Sequence, residues 1–245
     1  MKEVLGCLRR ADQDFQMIQA GDRVAVGVSG GKDSLLLLYA LALYRKFCKV
    51  PYELHAVTLT MGIQPFDLSG VRALCERLSV PYIVKETQIY QVVFEDRKEK
   101  NPCSLCAKMR RGSLGELCQQ RGFNKLALGH HRDDALETLL LSLFYEGRIH
   151  TFHPVTHLTR TGITQIRPLI YLPEKHIIHM AKQLNLPVVP SPCPANGHTK
   201  REEMEDLLGL ITQRIPNARE LMLSALRNEK QYGLWNKRDK LSDAD

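Results

Sequence analysis

Apolar and polar positions along this chain switch between a helical period and a strand-like one, and the switches mark out its elements. Lys2–Gln19 repeats apolar residues at helical spacing and stops at Ala20-Gly21-Asp22, which predicts a short amphipathic helix. Apolar runs at Arg23–Val28, Tyr52–Thr60, Tyr82–Val84 and Lys125–Leu128 read as strands, with helical patterns between them at Ser34–Phe47, Ser69–Leu78 and around Cys106–Gln120. Asp134–Phe144 puts Ala135, Leu136, Leu139, Leu140, Leu143 and Phe144 on one helical face, a core-directed stripe. Glu146–Thr164 is polar and rich in His, Thr and Gly, the pattern of a mobile loop or a hairpin. Pro173–Leu184 predicts a helix with proline at its start, and the prolines of Pro187–Pro194 demand extended backbone. Lys200–Gln213 and Asn217–Tyr232 read as closing helices separated by Pro216.

Strand and helix in repeated alternation define an α/β fold: a doubly wound parallel sheet covered by helices on both faces, with extra N- and C-terminal helices. The expected organisation is an N-terminal helix over 1–20, one α/β domain over 21–215 and a helical tail over 216–245. In such sheets ligands bind beyond the carboxyl ends of the strands. Ser29-Gly30-Gly31, Thr58-Leu59-Thr60 and Gly129-His130-His131 all fall at such ends, so they are expected to meet in one crevice.

At 245 residues and 44% hydrophobic, the chain can bury a sizeable core. No 18-residue apolar run occurs, and Met1-Lys2-Glu3 opens no apolar signal region, so the expectation is a cytoplasmic protein with no membrane partner. Seven cysteines in such a chain argue for free thiols, metal ligands or redox chemistry rather than a disulfide framework. The net charge of +7 is unevenly placed. Arg97–Arg111 holds six basic residues and one acid, whereas Arg201–Asp245 holds eight basic and nine acidic ones. A concentrated basic stretch suits a nucleic-acid backbone; its plain alternative is a solvated surface.

The densest chemistry lies in Ser29-Gly30-Gly31-Lys32-Asp33-Ser34, between an apolar strand and a leucine-rich helix. Backbone N–H groups and a helix N-terminus converge there, which is a site for an anion such as a nucleotide phosphate. The loop is not a Walker A sequence, because Asp33 follows the lysine where Ser or Thr belongs. The plain alternative is an ordinary glycine-rich turn. A second constellation, Gly129-His130-His131-Arg132-Asp133-Asp134-Ala135-Leu136-Glu137-Thr138, also follows a strand and opens a helix. Asp133 or Asp134 could hold Mg²⁺ against phosphate oxygens; either could instead cap the helix, with Glu137 completing a capping box. Arg167, in Ile166-Arg167-Pro168-Leu169, could stabilise phosphate charge.

Cys103 and Cys106 stand one turn apart at an expected helix start, where the dipole favours thiolates, and Cys193 lies in the proline-rich segment. The three could hold an iron–sulfur cluster, or zinc with a histidine such as His153 or His157; alternatively Cys103 and Cys106 could form a redox pair. Cys7, Cys48, Cys75 and Cys118 fall in helical stretches and read as small core residues.

The order Ser-Gly-Gly-Xaa-Asp-Ser resembles the PP-loop of ATP pyrophosphatases. With Gly-His-His-Xaa-Asp-Asp-(Xaa)₂-Glu-Thr beside it, the chain resembles the branch of those enzymes that modifies tRNA. Pro102-Cys103-Ser104-Leu105-Cys106, Arg110-Arg111-Gly112 and Cys193 narrow the resemblance to the tRNA 2-thiocytidine synthetase family. That resemblance implies cleavage of ATP to AMP and pyrophosphate, with C2 of a cytidine adenylated and then thiolated. It implies a phosphate cradle of Ser29, Gly30, Gly31, Lys32, Asp33 and Ser34, with Thr58, Gly129 and His130 also at the nucleotide. It further implies catalytic roles for Lys32, Asp33, Asp134 and Arg167, with Asp33 and Asp134 as Mg²⁺ candidates. Cys103, Cys106 and Cys193 would carry a 4Fe-4S cluster with one open iron. The implied partners are tRNA, a sulfur donor such as a cysteine desulfurase or free sulfide, and a second copy of the chain in a homodimer. Alternative readings are a PP-loop enzyme acting on another base or a small metabolite, and a non-enzymatic nucleotide- and redox-sensing RNA-binding protein.

Overall fold

A computed structural model of the chain describes residues 1–63, 66–97, 102–190, 193 and 200–228. The first strand, β1 (Arg23–Gly27), alternates its side chains between two cores: Val24 and Val26 face one, Ala25 the other. Such double burial is what a central strand of a helix-covered sheet requires. Beside it run β2 (Glu53–Leu59), β3 (Tyr82–Lys85), β4 (Lys125–Ala127), β5 (Val155–Leu158) and β6 (Ile163–Ile166), in the order β3-β2-β1-β4-β6-β5. Every neighbouring pair is parallel except β5 with β6, an antiparallel hairpin at the edge. The segment read as a loop or hairpin is therefore a hairpin, and it adds two strands to a sheet expected to be wholly parallel. The chain leaves β1 in one direction towards β2 and β3, and takes the other side with β4. The switch point thus lies between the carboxyl ends of β1 and β4.

Helices α1 (Lys2–Phe15), α2 (Lys32–Tyr44), α3 (Ser69–Arg77) and α6 (Glu174–Gln183) contribute to the core on one face of the sheet; α4 (Pro102–Gln120) packs on the other. The run Leu35-Leu36-Leu37-Leu38 leaves α2 no polar side, and all four leucines are fully buried because α1 and α6 pack against it from outside. Replacing any one of them by alanine is expected to cost ~2–5 kcal/mol. The first helix stops at Phe15, short of the expected Gln19. Gln16 turns left-handed, and the Asp12 carboxylate accepts a hydrogen bond from the Ile18 N–H at 2.9 Å, fixing the exit. Helix α4 starts four residues before the expected Cys106, with Pro102 in its first turn, so both Cys103 and Cys106 lie on the helix. A π-helical segment at Gln91–Asp96 carried no sequence signal.

Helix α5 (Arg132–Glu146) packs with α7 (Lys200–Arg214) and α8 (Ala218–Arg227) over Leu136, Leu140, Met204 and Leu208. The last helix ends at Arg227 rather than Tyr232, and residues 229–232 of that expectation lie outside the described residues. So do 98–101 of the basic stretch and 191, 192 and 194 of the proline-rich segment. Among the described residues, no helix is long and apolar enough to cross a membrane.

Candidate active site

The turn from β1 into α2 is held by its own serines. The Ser29 N–H donates to Ser34 Oγ at 3.1 Å, the Ser34 hydroxyl donates to the Gly31 carbonyl at 2.9 Å, and the two hydroxyls lie 3.2 Å apart. Gly30 takes φ +86°, a conformation that favours glycine. No side chain caps the N-terminus of α2, so its first-turn amides stay available to an anion. Lys32 Nζ sits between Glu174 at 2.9 Å and Asp33 at 3.2 Å. Burial works against its charge, but the two carboxylates outweigh that and hold its pKa above the usual lysine value. Burial likewise raises the Asp33 pKa, with Lys32 and His131 pulling it back, and Asp33 Oδ1 faces the Lys32 ammonium at 3.2 Å.

The second motif lies directly against this turn. A Cβ on Gly129 would stand 3.0 Å from the Asp33 carbonyl carbon and 3.0 Å from the Ser34 nitrogen, so only glycine lets the two motifs touch. The cap of α5 is His131, not an aspartate as expected. Its ring nitrogen accepts from the Asp134 N–H at 3.4 Å, while Asp134 Oδ2 accepts from the His131 N–H at 2.9 Å. The expected capping role of Glu137 is thus filled by Asp134 in partnership with a histidine. The other Asp134 oxygen accepts from Arg201 at 3.0 Å. Asp133 points elsewhere: it is buried between Arg132 and Arg219 and accepts the Glu174 N–H at 2.8 Å, holding the start of α6. Against its burial, the Glu174 N–H and then the two arginines hold its pKa below the usual range.

A cavity of about 460 Å³ opens over the turn. Ser29, Gly31, Lys32 and Asp33 line one side, and Cys106, Arg110 and Cys193 line another. Leu59, Met61, Phe66, Phe94 and Val189 form an apolar wall, the composition of a small-molecule site. Cys106 feels the charges of both Cys103 and Cys193, which places the three sulfurs in one neighbourhood. Burial, reinforced by the other two thiols, pushes the Cys106 pKa up while Arg110 pulls it down. At Cys106 this desolvation opposes the thiolate that a helix N-terminus favours. Among the described residues no group of three His, Cys, Asp or Glu stands at metal-holding geometry. Three thiols beside an arginine are nevertheless a donor set that suits iron–sulfur chemistry. Arg110, part of the Arg110-Arg111-Gly112 pattern and of the basic stretch, lines this cavity from one helical turn after Cys106.

Of the expected residues, Gly30, Ser34, Cys103, Gly129 and Asp134 do not line that cavity, and Thr58, His130 and Arg167 are held by other contacts. Thr58 is fully buried, its hydroxyl donating to the Val28 carbonyl at 2.8 Å and accepting from Tyr82 at 2.9 Å; it ties the strands together. His130 lies against Phe152, and burial lowers its pKa to about 4, so its ring is neutral. Arg167 is buried against the same ring, donating to the His153 carbonyl at 2.5 Å and to Thr156 at 3.1 Å. His153 lines a separate cavity with Phe15 and Tyr171, and His157 pairs with Thr164 on the hairpin. Cys75 and Cys118 are core residues, their thiols pushed up to about 11 and about 12 by burial, while Cys7 and Cys48 pack half-buried against the core.

A glycine turn leading into an uncapped helix N-terminus, at the switch point of a mostly parallel sheet, defines a nucleotide-binding α/β protein. A model of the PP-loop domain matches residues 7–203, and the chain belongs to that family. A protein of Pelobacter propionicus named tRNA-cytidine(32) 2-sulfurtransferase is 40% identical over 222 residues, covering 89% of this chain and 82% of its own length. The protein of the same name from Coxiella burnetii is 34% identical over 249 residues, covering 97% of this chain and 96% of its own. Among solved structures, the U34-tRNA thiolase NcsA from Methanococcus maripaludis, described with its 4Fe-4S cluster, aligns with a TM-score of 0.76 at 26% identity. It covers 96% of this chain and 80% of its own. The NH3-dependent NAD synthetase of Campylobacter jejuni, at TM-score 0.51 and 19% identity, shares the fold.

Proposed function

We propose that this chain is an ATP-dependent tRNA sulfurtransferase that replaces the C2 oxygen of a cytidine with sulfur. The observation that carries this reading is the single cavity lined by both the phosphate-binding turn and Cys106 and Cys193. Activation takes place on the C2 oxygen and sulfur adds to the carbon that bears it, so both sets of groups must reach one bound nucleotide.

The first-turn amides of α2 and the hydroxyls of Ser29 and Ser34 hold the pyrophosphate portion of ATP, with Gly30 and Gly31 allowing the close approach. Lys32 exchanges Glu174 for phosphate oxygens and neutralises their charge. Asp33, once released by Lys32, and Asp134, once released by Arg201, are the carboxylates to hold Mg²⁺. The cytidine oxygen attacks the α-phosphate and pyrophosphate leaves. Sulfur then adds at C2, and the oxygen departs with AMP, a far better leaving group than the original oxygen. Cys103, Cys106 and Cys193 are the residues that would hold a 4Fe-4S cluster, which would supply the sulfur-transfer chemistry. Arg110 holds substrate phosphate beside the thiols, and the neighbouring basic residues carry the tRNA backbone. Arg167 and His130 support the second motif from behind through Phe152. A cysteine desulfurase or free sulfide replenishes the sulfur, and the working unit is a cytoplasmic homodimer.

The test is Cys193→Ser, assayed anaerobically with tRNA, ATP and sulfide, with nucleosides resolved by mass spectrometry. Thiolation should disappear while ATP binding stays within a few-fold of the parent. A variant that still makes 2-thiocytidine sinks the sulfur-delivery role.

A further inference from the structure

The segment that carries Cys193 is fastened to the nucleotide turn by main chain. The Val189 N–H donates to the Gly30 carbonyl at 2.9 Å, a bond between residues 159 positions apart. The fit is tight: a Cβ on Gly30 would stand 3.1 Å from Val189 Cβ. Two residues earlier, Pro187 lies on Gly70, where a Cβ would stand 2.7 Å from the proline ring. Val189 and Cys193 then line the same cavity as Ser29 and Lys32. Four residues of extended chain reach at most ~14 Å, so Cys193 cannot move independently of the point where Val189 is held.

We propose that Val189 is a positioning residue, whose bond to Gly30 sets the register of Cys193 against the nucleotide turn and transmits occupancy of that turn to the thiol. The proposal rests on the reading that the turn binds ATP. Gly30 is the residue through which this must pass, because it is left-handed, offers its carbonyl to Val189 and sits among the phosphate-binding amides. A phosphate seated on the turn fixes the direction of that carbonyl, and with it the position of Val189. Coupling of this kind needs one element whose placement both sites bias; here it is Val189, held on Gly30 and joined by chain to Cys193.

The experiment reads thiol reactivity, not turnover. The metal-free protein is alkylated with iodoacetamide, with and without a non-hydrolysable ATP analogue, and modification of each cysteine is followed by mass spectrometry. The analogue should change the Cys193 rate about three-fold or more and leave buried Cys118 unmodified throughout. Val189→Pro removes the N–H donor, and insertion of two glycines after Pro190 keeps the bond but lengthens the tether. In either variant the nucleotide effect on Cys193 should vanish while analogue binding by calorimetry persists. The insertion variant serves alone if Val189→Pro does not fold. A Cys193 rate indifferent to bound nucleotide in the parent overturns the proposal. So does an undiminished effect in the variants, since simple occlusion by the ligand would survive both changes. Absence of analogue binding to the parent overturns the ATP reading itself.

Discussion

Glu137→Gln should stabilise this protein at neutral pH, although Glu137 is a buried polar residue beside the candidate site. The side chain lies one turn beyond Asp134 on α5, and the residue is only 5% exposed. Burial raises its pKa to about 8; Asp134, Glu205 and Glu174 add to this and Arg201 opposes it. An unfolded chain releases this proton near 4.5. Because the folded pKa is the higher one, the fold carries no penalty below the unfolded value. As pH rises the unfolded state gains by ionising, at about 1.4 kcal/mol per pH unit, until the folded group also ionises near about 8. Between about pH 5 and pH 7.5 the parent should therefore lose ~3 kcal/mol relative to a glutamine that never ionises. At roughly 2–4 °C per kcal/mol, that is a melting-temperature gap widening by about 6–12 °C. Thermal melts of both metal-free proteins across this range measure it. A gap that stays constant with pH, or a parent that is the more stable protein near pH 7.5, refutes the reasoning.

Gly129→Ala drives a methyl into the Asp33–Ser34 backbone, which cannot yield as a side chain would. It should cost ~1–3 kcal/mol by calorimetry and weaken ATP-analogue binding on the order of tenfold. Asp133→Asn keeps an oxygen for the Glu174 N–H but removes the charge shared by Arg132 and Arg219, and should cost about 3 kcal/mol in urea unfolding. Thr58→Val strands the Val28 carbonyl and the Tyr82 hydroxyl, so it should lower stability by ~1–3 kcal/mol while ATP-analogue affinity stays within two- to three-fold.

The frame and the nucleotide turn are legible in the sequence because local signals agree there. Strand alternation ends where the glycines begin, and the leucine run that follows can only be a buried helix. Other features depend on partners distant in sequence. His131 caps α5 through a ring nitrogen, outside the usual Ser, Thr, Asp and Asn vocabulary, so the cap was expected on the aspartates. Gly129 reads as a turn residue, yet its lack of a side chain serves contact with a backbone almost a hundred residues earlier. Thr58 sits at the right strand end, but which way its hydroxyl points is decided by Tyr82. The strands β5 and β6 are four residues each, too short and polar to show a period. Nor does sequence show Val189 resting on Gly30, the contact that ties the Cys193 segment to the turn.

The arginine pair around Asp133 has a consequence in time as well as in space. Asp133 opens the helix that carries the second motif, but Arg219, one of the two arginines at its carboxylate, lies 86 residues further along the chain. At roughly 5–20 residues per second, a ribosome needs about 4–17 s to reach it. During that interval the nascent chain has completed the phosphate turn but not the charge balance beneath its neighbour. The charge balance at the start of α5, and the hold of Asp133 on α6 that goes with it, is therefore completed only after α8 has been made.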